Sequence, residues 1–236
     1  MEVERELKLE LAGFLGLCCL SMSLSDYSQA DNRSAAYFLL KILPIGSLWL
    51  LCQRRVKGRA GLWQGRGILA CALGDILIGF MFISKVSFAG CLLAFGSGHF
   101  CYLAAFWRGR RRLLLLTYLP PAAIGIWAHW MAAEGLSGAV AWPVLWLLRG
   151  YSACLCAVTG TAFSHALSAP PREEKECWLR FAGFVLFSTS DILILLQDFS
   201  TRLALLPYAL SHMLIIATYY AAMFLLYAST RLGASA

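Results

Sequence analysis

Eight apolar runs, most of them long enough to cross a bilayer as a helix, occupy nearly the whole chain and leave few folds open to it. They cover roughly 8–25, 34–52, 67–84, 86–107, 113–132, 139–163, 178–197 and 203–228. About 20 apolar residues span a hydrocarbon core as an α-helix. The runs are too long for barrel strands and show no two-residue alternation. Glycine and proline inside several of them are what membrane helices tolerate. The chain is 60% hydrophobic and 14% charged, against about half and a quarter for a soluble domain. The expected fold is therefore all-α: a polytopic bundle of eight transmembrane helices forming a single transmembrane domain, residues 1–236. The first run is the weakest, because Lys8 and Glu10 shorten it.

The charges follow the same plan. With the N-terminus in the cytoplasm and eight crossings, fifteen of the 20 lysines and arginines fall on the cytoplasmic side. They cluster at 54–66, 108–112 and 172–180. Only Arg33, Lys85 and Arg202 fall on the opposite side, while Lys41 and Arg149 fall within spans. This asymmetry predicts that both termini are cytoplasmic. It also accounts for the net charge of +7 without a nucleic-acid partner. The mixed-charge N-terminus does not read as a cleaved signal peptide. Asn32-Arg33-Ser34 is a glycosylation sequon, but it abuts the second run and reads equally as a helix-capping turn. The nine cysteines lie in or beside apolar runs without metal-ligand spacing and read as small buried hydrophobes.

Ionisable residues inside spans cost at least about 2.5–3.5 kcal/mol each and so point to function. Six stand out: Lys41, Asp75 and His99 in runs two to four, and Arg149, Asp191 and His212 in runs six to eight. His129 and His165 sit near run ends, where interfacial solvation would account for them. Pairing alone is a weak reason to keep two cations and two acids in a membrane, since apolar replacements of buried ion pairs are often no less stable. Tyr219 and Tyr220 lie inside the last run, where their hydroxyls need partners. They are about 100° apart on a helix, so one at most points straight into a site. Pro44, three residues after Lys41, either frees a backbone carbonyl or simply kinks the helix.

The two acids share a context, Gly74-Asp75-Ile76-Leu77 against Ser190-Asp191-Ile192-Leu193. That likeness suggests a four-plus-four duplication, 1–112 and 113–236, with parallel repeats about an axis along the membrane normal. The acids would then face each other. Two carboxyls facing in low dielectric share a proton, which is an acid and base arrangement.

The ordered stretches Lys41-Ile-Leu-Pro44-Ile45, Gly74-Asp75-Ile-Leu, His99-Phe-Cys-Tyr102, Arg149-Gly150, Leu186-Phe187-Ser-Thr-Ser190-Asp191 and Leu214-Ile215-Ile216-Ala-Thr218-Tyr219-Tyr220 resemble the YhhN-like transmembrane proteins, which include the animal lysoplasmalogenases. The resemblance implies an eight-helix enzyme of intracellular membranes, such as the endoplasmic reticulum. The enzyme would hydrolyse the vinyl-ether bond of lysoplasmalogens to a fatty aldehyde and glycerophosphocholine or glycerophosphoethanolamine. It implies no metal and no organic cofactor. His212 matches no part of that pattern.

Vinyl ethers hydrolyse when an acid protonates the β-carbon and a carboxylate steadies the oxocarbenium ion that follows. Asp75 and Asp191 are the candidates, with the two roles unassigned. Lys41 or Arg149 would hold the lipid phosphate, or pair with an aspartate. His99, Tyr102, Ser190, Tyr219 and Tyr220 are expected around the substrate. The partners expected are a lysophospholipid substrate, membrane lipids and, for the protein, a homodimer. Three other readings remain: a proton-coupled transporter, a metal-dependent hydrolase, whose usual histidine spacings are absent, and a purely structural role.

Overall fold

The computed structural model describes residues 2–24, 35–80, 85–107, 114–200 and 207–234, without the side chains of 35–38 and 85. Among these residues there are eight α-helices and no strand: α1 (Glu2–Leu24), α2 (Ala35–Arg55), α3 (Gly58–Ile78), α4 (Lys85–Phe106), α5 (Leu119–Ala139), α6 (Trp142–Leu167), α7 (Glu174–Phe199) and α8 (Tyr208–Gly233). Each run in the sequence corresponds to one helix. Five of the helical segments, those of α1, α4, α6, α7 and α8, are long and apolar enough to cross a membrane, which fits a multi-pass membrane protein. Large apolar side chains stand on the outer surface, among them Leu39, Leu115, Ile126 and Trp142. A lipid environment favours such a surface and water does not.

Prolines begin several helices. Pro120 and Pro121 open α5, Pro143 opens α6, and Pro207 precedes α8. At these positions the missing N–H costs nothing. Between α2 and α3 the chain turns within two residues, and Gly58 takes φ +73°, where a side chain would be strained.

α1 begins at Glu2, well before the apolar run it contains. Its first turns are not loose charge. Glu6 pairs with Arg55 at 3.2 Å and with Arg231 at 2.8 Å, and Glu4 pairs with Lys175. Tyr227 donates to Glu10 at 2.9 Å. Ion pairs therefore extend the helix through its charged first turns, and the first run, expected to be the weakest, is apolar enough to cross a membrane. α3 also starts earlier than its run and ends sooner. Arg59 and Arg66 sit on its exposed face, which hydropathy alone scores as loop.

These contacts gather the starts of α1 and α7 and the ends of α2 and α8 at one end of the bundle. The end of α6 is there too, with the His165 ring against Phe106 at the end of α4. Successive helices thus alternate in direction. His165 is 1% exposed, so interfacial solvation does not explain it. It packs beneath the Phe106 and Trp107 rings. The sequon at 32–34, the 108–112 cluster, Arg33 and Arg202 lie outside the described residues, as does the side chain of Lys85.

Small residues let the helices close on each other, the usual device where lipid gives no hydrophobic drive to association. A Cβ on Gly67 would sit 2.5 Å from the Tyr102 ring, and one on Gly98 would sit 3.0 Å from Cys71 Sγ, so α3 and α4 pack nearly backbone to backbone. α2 lies against α3 and α8, and α6 lies against α7 and α4. The polar core is held where these contacts cross.

Candidate active site

Lys41 is on the second turn of α2 and Asp75 on the last turn of α3, and the tight turn between the two helices brings them together. Lys41 Nζ lies 3.0 Å from Asp75 Oδ1. The other carboxylate oxygen accepts a hydrogen bond from the Tyr219 hydroxyl of α8 at 2.6 Å. Asp75 is 2% exposed. Both of its oxygens thus face donors, the Lys41 ammonium on one and the Tyr219 hydroxyl on the other.

Asp191, on α7, has different company. Its Oδ2 accepts from the Tyr151 hydroxyl of α6. Tyr151 in turn lies 3.2 Å from His99 Nε2 of α4. Since the phenol gives its proton to Asp191, the imidazole donates to the phenol. His99 is fully buried, stacked on Tyr151 and edge-on to Phe187 at 4.7 Å. Its Nδ1 has no hydrogen-bond partner among the described residues. No lysine or arginine among the described residues lies within ion-pair distance of Asp191.

Asp75 and Asp191 line one cavity of about 310 Å³, together with Lys41, Tyr151, Ser190 and Tyr219. Most of the remaining wall is apolar, with Phe88, Leu92, Phe95, Leu155 and Ile216 among its members. Ser190 sends its hydroxyl proton to the Ile215 carbonyl at 3.0 Å, which ties α7 to α8 beside the acid. Of the adjacent pair Tyr219 and Tyr220 on α8, Tyr219 reaches the cavity. Tyr220 turns behind it and donates to the Lys41 carbonyl at 2.8 Å, with Ser21 of α1 at 3.3 Å. That carbonyl is three residues before Pro44, where a helix loosens because proline lacks an N–H and pushes the preceding turn outward.

The other expected residues lie farther out. Tyr102 is buried behind the site, its hydroxyl directed to Met223 Sδ at 3.3 Å and Cys71 Sγ at 3.6 Å. Arg149 is on the exposed side of α6, its guanidinium 4.8 Å above the Trp146 ring. His212 stacks on Tyr208 one turn earlier in α8, and it is not among the residues lining the cavity. His129 does line it, with Nε2 2.8 Å from Ser152 Oγ.

Tyr151 is not among the residues expected at the site from the sequence. Its signal is faint: a tyrosine two residues after Arg149 in a span, about 200° around the helix from it. Among the described residues no three His, Cys, Asp or Glu side chains converge as metal ligands would. All nine cysteines are free thiols.

The sequence profile of the YhhN family matches residues 36–230, a stretch that takes in nearly all of α2 to α8 and both carboxyls. No curated protein and no solved structure matches the chain.

Proposed function

Because the chain belongs to the YhhN family, we propose that it is a lysoplasmalogenase, an intramembrane hydrolase of the vinyl-ether bond of lysoplasmalogens, with Asp191 as the acid and Asp75 as the carboxylate. The observation that carries this reading is the contrast between the two carboxyls in one cavity. Asp75 has a lysine at 3.0 Å, while Asp191 has only a phenol on Oδ2. Environments that push two carboxyls apart are how acid and base roles are divided.

In this mechanism Asp191 carries its proton on Oδ1 and delivers it to the β-carbon of the alkenyl group. The double bond supplies the electron pair, and an oxocarbenium ion forms at the α-carbon. The Tyr151 hydroxyl holds the new Asp191 carboxylate. Asp75 steadies the cation and takes a proton from the water that adds to it. The hemiacetal then returns its hydroxyl proton to Asp191. Asp75 passes its own proton to the departing glycerol oxygen, leaving aldehyde and glycerophospho-alcohol with both carboxyls reset. Lys41 and Tyr219 fix Asp75 in place. Lys41 also offers a cation for the lipid phosphate, whereas Arg149, on the outer face, is better placed for a lipid headgroup. The same reading has eight crossings, cytoplasmic termini and an intracellular membrane such as the endoplasmic reticulum.

It also takes the chain as two four-helix halves. Exchanging the halves carries the α2–α8 contact onto the α6–α4 contact. Lys41 of α2 beside Asp75 then corresponds, by helix, to Tyr151 of α6 beside Asp191. Each half then has a carboxyl that accepts from a phenol, and Asp75 alone has a lysine beside it as well.

The test is product analysis with detergent-purified protein and a lysoplasmalogen. Free fatty aldehyde is expected from the wild type, and Asp75→Asn and Asp191→Asn are each expected to lose at least about a hundredfold, the usual worth of acid–base groups. Substrate flux through proteoliposomes without turnover would instead identify a carrier. Loss of activity to strong chelators would point to a metal.

A further inference from the structure

Beyond the carboxyls the cavity continues as an apolar arm between α5, α6 and α7. Ile124 and Ala128 of α5, Leu155 of α6 and Val185 of α7 form its sides. The polar groups in this wall pair with the protein. Thr159 Oγ1 lies 3.2 Å from Ser188 Oγ, His129 bonds Ser152 as above, and the Cys156 thiol donates to the Pro121 carbonyl at 3.2 Å. The wall therefore makes little demand for a polar ligand.

The arm stops at Phe163 and Phe181. Their rings stack at 4.5 Å with an interplanar angle of 16°, and Trp178 meets the Phe181 ring edge-on at 5.8 Å. From Asp191 back to Phe181 along α7 is about 15 Å, and from Tyr151 to Phe163 along α6 about 18 Å, at ~1.5 Å per residue. That depth matches about 13–15 carbons of an extended chain, at roughly 1.25 Å of advance per C–C bond. Ile124 of α5 and Val185 of α7 line the cavity and are also exposed, which favours entry of a chain on that side. The opposite arm, past Phe88 and Phe199, lies on the side of Lys41, the one lysine or arginine among the described residues lining the cavity. A phosphate belongs on that side and a hydrocarbon on this one.

We propose that the α5–α6–α7 arm holds the hydrocarbon chain of the lipid, and that the stacked Phe163–Phe181 pair is its end wall and sets the preferred chain length. The arm is assigned to a substrate chain on the strength of the lysoplasmalogenase reading, but it can be tested apart from turnover. An alkyl-ether lysophosphocholine with a diazirine at the chain terminus cannot be hydrolysed as a vinyl ether and reports where the chain ends. Photolabelling of the purified wild-type protein is expected on residues 159–163 or 178–185. Labelling on the Phe88 or Phe199 side, or no saturable labelling at all, overturns the proposal. Label in the expected place from a protein that yields no aldehyde would sink the lysoplasmalogenase reading and leave the arm standing. In turnover, Phe163→Ala and Phe181→Ala are expected to move the optimum in a series of alkenyl lengths toward longer chains. Thr159→Phe, which fills the arm part-way, should move it toward shorter ones. Active variants whose chain-length profiles all coincide with the wild type contradict an end wall at this position.

Discussion

At the scale of residues, the two aspartates differ in what surrounds them, and the differences can be separated by substitution. Lys41→Met leaves Asp75 buried beside one phenol, and breaking a buried pair from one side costs about 3–5 kcal/mol. The variant should show a large drop in thermal stability in detergent. The double variant Lys41→Met with Asp75→Asn removes both charges and should recover most of that stability while staying inactive. Recovery of activity along with stability would mean that the pair serves only the fold. Tyr151→Phe removes the hydroxyl between His99 and Asp191. A hydrogen bond to a charged group is worth about 1.5–3 kcal/mol, so kcat should fall at least about tenfold with KM little changed. A rise in KM alone would place Tyr151 in binding. The acids and Lys41 were legible in the sequence because charge inside an apolar run is costly and conspicuous. Tyr151 was not, because a phenol is common in membrane helices and nothing in the local spacing tells that α4 and α7 meet it from both sides.

At the scale of elements, the spacing of apolar runs gives the helices, but their ends are set by groups that hydropathy does not weigh. α1 extends through its acidic first turns because Arg55, Arg231 and Lys175 wait for them on other helices. α3 is held close to α4 by absent side chains. Gly74 lies one residue before Asp75, and a Cβ there would fall 2.7 Å from the Phe95 ring. Overpacking of this kind costs about 1–3 kcal/mol. Gly74→Val should therefore lower the melting temperature and shift the Asp75 backbone, reducing activity more than the residual folded fraction explains. A variant with normal stability and activity would show that α3 and α4 have slack. Pro44 and the Tyr220 bond to the Lys41 carbonyl lie on the same helix. Tyr220→Phe should cost less than Tyr219→Phe in turnover, since only Tyr219 touches a carboxyl.

At the scale of the whole molecule, the alternation of helix directions puts the described basic clusters and the start of α1 at one end, which is what the charge count along the sequence asks for. Single cysteines introduced at 57, 170 and 234 in a cysteine-free background should react with an impermeant maleimide from the cytoplasmic face, and cysteines at 31 and 203 from the other. Any one of the five labelled from the wrong side breaks the eight-crossing plan. What the sequence could not carry is the crossing of elements: that α8 supplies the phenol for the carboxyl of α3, and α6 the phenol for that of α7. The first pairing joins helices far apart in the chain and the second joins neighbouring ones, and no periodicity encodes either. The chemistry that follows from them is tested most directly by turnover in D₂O, with the aldehyde examined by mass spectrometry. Proton delivery to the β-carbon by Asp191 predicts one deuterium at carbon 2 of the aldehyde from the wild type and next to no aldehyde from Asp191→Asn. Aldehyde without deuterium at that carbon, or an Asp191→Asn variant that turns over as the wild type does, would contradict it.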